Sequence, residues 1–271
     1  MGAFSAFGFG IMAALDLYDY PLSVIFLAGL VLILVASEIG RRIGIHASAS
    51  GGRDVSTLES AVLGLLALMI GFTFAMALSR FEARRDAVLS EANAIGTTAL
   101  RARLLPQPDR ADILLLLRDY VAVRLDVTRR PVSRAELTAA IDKSNAIQEA
   151  LWQRAKAVAA KDSGMVPTGL FIQTLNDMID EQAKRLSALR NRVPNIVLLA
   201  LFAIAATGMA FTGYGRGLEA RRTRLPLYLM AFLLSGVILL ILDLDRPTAG
   251  FIEASQQPMI DTAASIASFT D

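Results

Sequence analysis

Four blocks of apolar residues lie along the chain, each close to the ~20 residues that a helix needs to cross a ~30 Å hydrocarbon core. They cover residues 21–39, 58–78, 193–214 and 225–244. Each block predicts a transmembrane helix. Between the second and third blocks lie residues 80–192, in which apolar and charged residues are mixed.

This middle segment has the periodicity of amphipathic α-helices. The helical pattern continues from Arg80 until Pro106 and Pro108 end it. Three more amphipathic segments begin near residues 109, 134 and 170, and Ser133 with Glu136 forms a capping box before the second of them. No segment alternates with period two for long enough to be a strand. We therefore predict an all-α fold, a four-span helical membrane protein with a helical extramembrane domain between spans two and three.

The same pattern predicts the domain boundaries. We expect an N-terminal membrane part at 1–79, a helical domain at 80–192, a C-terminal membrane hairpin at 193–244 and a C-terminal tail at 245–271. Residues 3–15, AFSAFGFGIMAAL, are apolar but too short to cross a bilayer. No basic segment precedes them and no clear cleavage site follows, so we predict an interfacial helix rather than a signal peptide.

Composition supports a membrane protein. Apolar residues make up 54% of the chain, charged residues only 19%, and the mean hydropathy is +0.50. The formal net charge of +2 comes mostly from arginines around the ends of the apolar blocks. This placement indicates contact with the lipid bilayer rather than with nucleic acid. The arginines on the two sides of the predicted spans nearly balance, so the positive-inside rule does not decide the orientation.

Residues that could carry enzyme chemistry are scarce. The chain has no cysteine and one histidine, His46, so we predict no metal site, no cofactor and no enzymatic activity. The sequence GYGRG, from Gly213 to Gly217, lacks the Lys-Ser/Thr of a phosphate loop and predicts a flexible turn between spans. Asp243 and Asp245 end an apolar block, where we expect them to be solvated.

The second block continues without proline or glycine at its end into a charged segment, GLLALMIGFTFAMALSRFEARRD, residues 64–86. This predicts one helix that runs from lipid into water. A stripe of residues at heptad-like steps follows that helix. Its apolar part is Leu65, Met69, Phe72 and Met76, and its small or polar part is Ser79, Ala83, Asp86, Ser90, Asn93 and Thr97.

Such a stripe is what a pore lining would show if a narrow apolar constriction opened into a wider aqueous vestibule. The alternative is ordinary packing of apolar side chains against other helices or lipid. A neighbouring face carries Gly64, Leu68, Gly71 and Ala75, which would allow close helix approach. Polar residues such as Thr73 and Ser79 within or beside the span predict further protein or water neighbours, and hence a homo-oligomer.

Two segments resemble a known family. LLALMIGFTFAMALSRFEARRDAVLSEANAIGTTALR is similar to the second membrane helix of bacterial bestrophins and its cytosolic continuation, through Gly71 with Phe72, Arg80 and Asn93. Together with ILDLDRPTAGFIEASQQPM, residues 241–259, it also resembles a group of bacterial membrane proteins described as bestrophin-like. No acidic calcium-binding sequence of the kind found in animal bestrophins is present, so the resemblance does not imply calcium gating.

The resemblance implies a multi-pass protein of the bacterial inner membrane, with the central domain and both termini in the cytosol. It also implies a homo-oligomer, four or five copies, around a pore lined by the second span. We therefore expect a channel for small inorganic ions, with a weak preference for anions, a constriction at Phe72 and Leu68 next to it. The alternative is a non-conducting, membrane-anchored structural or signalling protein whose helical domain binds a partner.

Overall fold

A computed structural model describes residues 16–48, 53–126, 134–219, 223–247 and 250–269 of the chain. These residues form a short 3-10 turn, Leu17–Asp19, a short π-helical turn, Met165–Gly169, and eight α-helices. The helices are α1 (Leu22–Ser48), α2 (Ser56–Ala102), α3 (Asp109–Asp126), α4 (Arg134–Lys161), α5 (Leu170–Arg190), α6 (Asn195–Leu218), α7 (Leu225–Asp245) and α8 (Gln257–Ala267). The described part of the chain has no strand, which confirms the all-α prediction.

Four helical segments are long and apolar enough to cross a membrane, one for each predicted span. The described residues divide into two compact units. A membrane unit comprises the residues up to Arg80 together with Arg192–Arg246 and Gly250–Ile252. A helical unit comprises Phe81–Asn191, Pro247 and the residues from Glu253 onward. The predicted interfacial helix at 3–15 and Ser133 of the predicted capping box lie outside the described residues.

The membrane unit contains a very close backbone contact between α1 and α6. Gly40 and Gly44 of α1 lie against the backbone at Ala210 and Tyr214 of α6. A Cβ atom added to Gly40 would lie 2.8 Å from the carbonyl carbon of Ala210. Gly213 and Gly217 of α6 similarly face the backbone of α1. Glycine at both sides of the crossing allows the two backbones to touch.

This contact corrects the prediction of a flexible turn at Gly213–Gly217, because these residues form the last turns of α6. Their glycines serve backbone approach rather than chain reversal. The signal was present in the sequence, since both pairs, Gly40 with Gly44 and Gly213 with Gly217, are spaced four residues apart.

The helical unit has its own hydrophobic core. Tyr120 of α3, Leu151 of α4 and Phe171 of α5 are fully buried there, together with Ile95 of α2. The C-terminal segment contributes α8, whose Met259 packs into the same core. The described tail from Glu253 onward is therefore a structural part of the helical unit.

Candidate functional site

The helix α2 is continuous for 47 residues, Ser56–Ala102. This confirms the prediction that the second span runs unbroken into the charged segment. All the stripe residues therefore lie on one continuous helix. Because residues three and four apart share a helix face, their spacing in the sequence becomes a line along one side of α2.

Within the span, this line is largely uncovered by the rest of the chain. Leu65 is 49% exposed and Phe72 is 66% exposed, while Met69 and Met76 are half-buried. On the neighbouring face Leu68 is 56% exposed. We call this uncovered side of the helix the open face of α2.

Two glycines also lie on the open face. A Cβ atom added to Gly64 or Gly71 would meet nothing within 4 Å, in contrast to the glycines of α1 and α6. These two glycines therefore make no close contact with another helix among the described residues of the same chain.

Beyond the span, the open face becomes polar. Ala83, Asp86, Ser90, Asn93 and Thr97 are all exposed. The opposite side of the same helix is buried in the core of the helical unit, through residues such as Glu91, Ile95, Thr98 and Ala102. The change from an apolar to a small polar surface thus occurs along one uncovered face of one helix.

Thr73 does not belong to the open face. It is buried, and its hydroxyl donates to the carbonyl oxygen of Met69 at 2.7 Å. Because this bond satisfies the hydroxyl within α2, Thr73 does not require a second copy of the chain. The expectation that it needs neighbours from another copy was wrong. Ser79 is exposed at the end of the apolar stripe.

The end of the fourth span is a buried polar cluster. The fully buried carboxylate of Asp245 accepts from the backbone N–H of Val193 at 2.7 Å and from the hydroxyl of Tyr18. Arg80 of α2 lies 3.6 Å from the same carboxylate. Burial, and then the hydrogen bond to Asp245, raise the pKa of Tyr18 well above its ordinary value.

The neighbouring residues fix the chain on either side of this cluster. Asp243 accepts from the backbone N–H groups of Phe251 and Ile252 at 2.7 and 3.1 Å. Arg246 donates to the carbonyl oxygens of Leu17 and Tyr20.

Both Asp243 and Asp245 are therefore buried hydrogen-bond acceptors, which corrects the expectation that they are solvated. Sequence reasoning missed this because Tyr18 and Val193, the partners of Asp245, are distant in the chain.

A second buried polar cluster lies in the helical unit. The carboxylate of Glu91 is 2.8 Å from Nε of Arg124 and 2.6 Å from Nη1 of Arg185. It also accepts from the hydroxyl of Tyr120 at 3.0 Å, and that hydroxyl is 2.6 Å from Oε1 of Gln182. Burial of the hydroxyl, and then the negative charge of the nearby Glu91, raise the pKa of Tyr120. This network holds α2, α3 and α5 together on the buried side of α2.

Among the residues that the structure describes, no group of three or more acidic or histidine side chains could hold a metal ion. What the open face of α2 offers is a surface, apolar and then polar, rather than a reactive centre.

Solved structures with the same fold include those of a bacterial bestrophin homolog. A variant of a bestrophin homolog from Klebsiella pneumoniae matches with a TM-score of 0.70 and 14% identity, over 89% of this chain and 97% of that one. Another structure of the Klebsiella homolog gives a TM-score of 0.62 and 15% identity, over 90% and 94%. A structure described as a membrane protein gives 0.66 and 15% identity, over 90% and 95%.

Comparison with curated proteins found no match. The sequence profile of the bestrophin-like domain matches residues 24–259, which is most of the chain. This confirms the predicted resemblance, and the chain belongs to the bestrophin-like family.

Proposed function

We propose that this protein is a homo-oligomeric ion channel in which the open face of α2 lines the path for small inorganic ions. The family and the fold support a channel as the general class and give no indication of an enzyme. The details of the path are our own proposal. A face of one helix cannot enclose a path, so the proposal requires several copies around an axis, four or five by resemblance.

The observation that carries the proposal is the match between the stripe and the open face. Every stripe residue is exposed or half-buried, from Leu65 at one end to Thr97 at the other. Residues between them, such as Thr73, Arg84 and Glu91, are buried. Packing within one chain would have required the reverse, with the apolar residues of the stripe covered. Contact with lipid alone would not account for the continuation of the same face as exposed small and polar residues beyond Ser79.

We place the constriction at Phe72, whose side chain is the most exposed of the apolar residues on the open face. A ring of phenylalanines excludes water, and an apolar neck a few ångströms wide stops ions without a plug. Leu68 comes one helical turn earlier and is the second candidate. Beyond Ser79 the small and polar residues would line the wider vestibule.

The proposed location is the bacterial inner membrane, with the helical unit and both termini in the cytosol. This orientation rests on the resemblance. The resemblance also favours anions, although selectivity depends on which charged side chains face the path.

The test compares Phe72→Ala with Phe74→Ala in liposomes loaded with salt. Phe74 is half-buried and lies about 160° around the helix from Phe72, so its truncation should change packing without changing the path. Alanine is a good helix former, and α2 should persist in both variants. We expect larger or less gated flux for Phe72→Ala, a weaker increase for Leu68→Ala and wild-type flux for Phe74→Ala.

Size-exclusion chromatography in mild detergent provides the control for assembly, because all the variants should elute as the same homo-oligomer. If Phe72→Ala assembles normally but conducts like wild type, the constriction is not at Phe72. If wild type carries no ions at all, the stripe is packing surface and a membrane anchor with a partner-binding helical domain replaces the channel.

A further inference from the structure

The charge carried by the stripe comes from one residue. Of its ten members from Leu65 to Thr97, only Asp86 is ionisable. Its side chain is exposed on the open face. We infer that Asp86 determines the charge selectivity of the proposed pore and makes it prefer small cations over anions. This inference rests on the proposed function, and it opposes the preference for anions that the resemblance implies.

The geometry of the helix separates Asp86 from the adjacent positive charge. Successive residues are about 100° apart, so Arg85 points well away from Asp86. Arg85 is five residues before Ser90, which places it about 140° from that stripe residue. Glu82, four residues before Asp86, is only about 40° from it and adds negative charge to the edge of the open face.

The other arginines near the end of the span are directed elsewhere. Arg80 lies against the buried carboxylate of Asp245, at 3.6 Å, and only 17% of its side chain is exposed. Arg84 is buried on the opposite side of α2. The guanidinium of Arg80 is thus engaged by Asp245 and the side chain of Arg84 is buried away from the open face, so neither is placed to pair with Asp86.

In a ring of identical subunits, each copy would place one such carboxylate around the same section of the path. Several like charges facing a confined aqueous space raise the local concentration of cations and lower that of anions. The effect is screened by salt, since the Debye length is about 10 Å at 0.1 M. Selectivity should therefore weaken as ionic strength rises.

The experiment measures the reversal potential of the purified channel in planar bilayers under a KCl gradient. We expect wild type to be selective for K⁺. Asp86→Asn should lower the ratio of K⁺ to Cl⁻ permeability by at least about threefold, and Glu82→Gln should lower it less. Asp119→Asn, a change of an exposed carboxylate on α3, is the matched control and should leave the ratio unchanged.

The absence of cysteine allows a test by charge restoration. Asp86→Cys should lose selectivity as Asp86→Asn does. Reaction with a sulfonate-bearing methanethiosulfonate should restore K⁺ selectivity, and reaction with a trimethylammonium-bearing reagent should shift the reversal potential toward Cl⁻. If Asp86→Cys lost selectivity through general damage to the fold, adding a negative group would not restore it, and adding a positive group would not have the opposite effect.

The outcomes separate this inference from the proposed function. If wild type conducts and Asp86→Asn leaves the permeability ratio unchanged, or wild type prefers Cl⁻, the role of Asp86 is wrong while the channel stands. If no variant conducts in bilayers or liposomes, the channel itself is refuted and the selectivity inference with it.

Discussion

Replacing Gly213 with alanine should strongly destabilise the membrane unit, because the new methyl group would meet backbone rather than a movable side chain. The added Cβ would lie 2.9 Å from the carbonyl carbon of Ser37 and 3.1 Å from the amide nitrogen of Arg41, and closer still to the carbonyl oxygen of Ser37. Ordinary contacts of this kind are no shorter than about 3.4 Å. Since backbone atoms cannot rotate aside, α1 and α6 would have to separate.

The magnitude follows from two opposed terms. Overpacking costs about 1–3 kcal/mol, and the upper end of that range applies where the contacting atoms are backbone. The higher helix propensity of alanine returns up to about 1 kcal/mol. We expect a net loss of about 2 kcal/mol.

Gly236→Ala is the matched control, because Gly236 lies within α7 and a Cβ added there meets nothing within 4 Å. It should be neutral or slightly stabilising. Thermal unfolding of both variants in the same detergent, followed by size-exclusion chromatography of the surviving oligomer, measures the difference. Equal melting temperatures for Gly213→Ala and Gly236→Ala would show that the glycine contact does not hold the two helices together.

Two further predictions concern the helical unit. Glu91→Gln should destabilise the helical unit by about 3–5 kcal/mol, because two buried guanidinium groups lose their counterion. The control Glu149→Gln changes an exposed side chain and should have little effect. Chemical denaturation measures both variants, and similar midpoints would contradict the role given to the network. The orientation can be tested by treating intact cells that carry Ser133→Cys or Ser50→Cys with an impermeant thiol reagent. We expect Ser50→Cys to be labelled and Ser133→Cys to be protected. The reverse pattern would place the helical unit outside the cell.

The helices were predictable because local signals mark them. Pro106 and Pro108 end one helical pattern, and α3 begins at Asp109 directly after them. The spans follow from the length of their apolar blocks alone. The continuity of α2 was predictable too, since neither proline nor glycine interrupts the residues around Arg80.

The buried polar clusters were not predicted, for two different reasons. Asp245 looks like an ordinary helix-end residue, and only the fold brings Tyr18 and Val193 to it. Glu91 did carry a signal, because four residues away on either side Ala87 and Ile95 are apolar and mark the buried side of α2. A charged residue in such a position predicts a buried ion pair, but its partners on α3 and α5 cannot be identified from spacing.

Exposure on a single chain means different things in the two units. In lipid, exposed Leu65 and Phe72 cost nothing, so their exposure is compatible with a pore, a subunit contact or a lipid contact. In water, an exposed leucine is a real cost, and the part of α2 in the helical unit carries Leu89 and Leu100, each about half exposed.

Covering about half of a leucine side chain stabilises by about 1 kcal/mol at 25 cal/mol per Å² of apolar surface. Leu104, just after α2, and Leu115 of α3 are likewise exposed, at 57% and 59%. Association that covered these leucines would gain several kcal/mol from each copy. The exposed leucines of the helical unit therefore favour a homo-oligomer more strongly than any residue within the membrane does. Leu104→Gln and Leu115→Gln, which lie outside α2, should weaken assembly without opening the path, whereas Phe72→Ala should open it without weakening assembly.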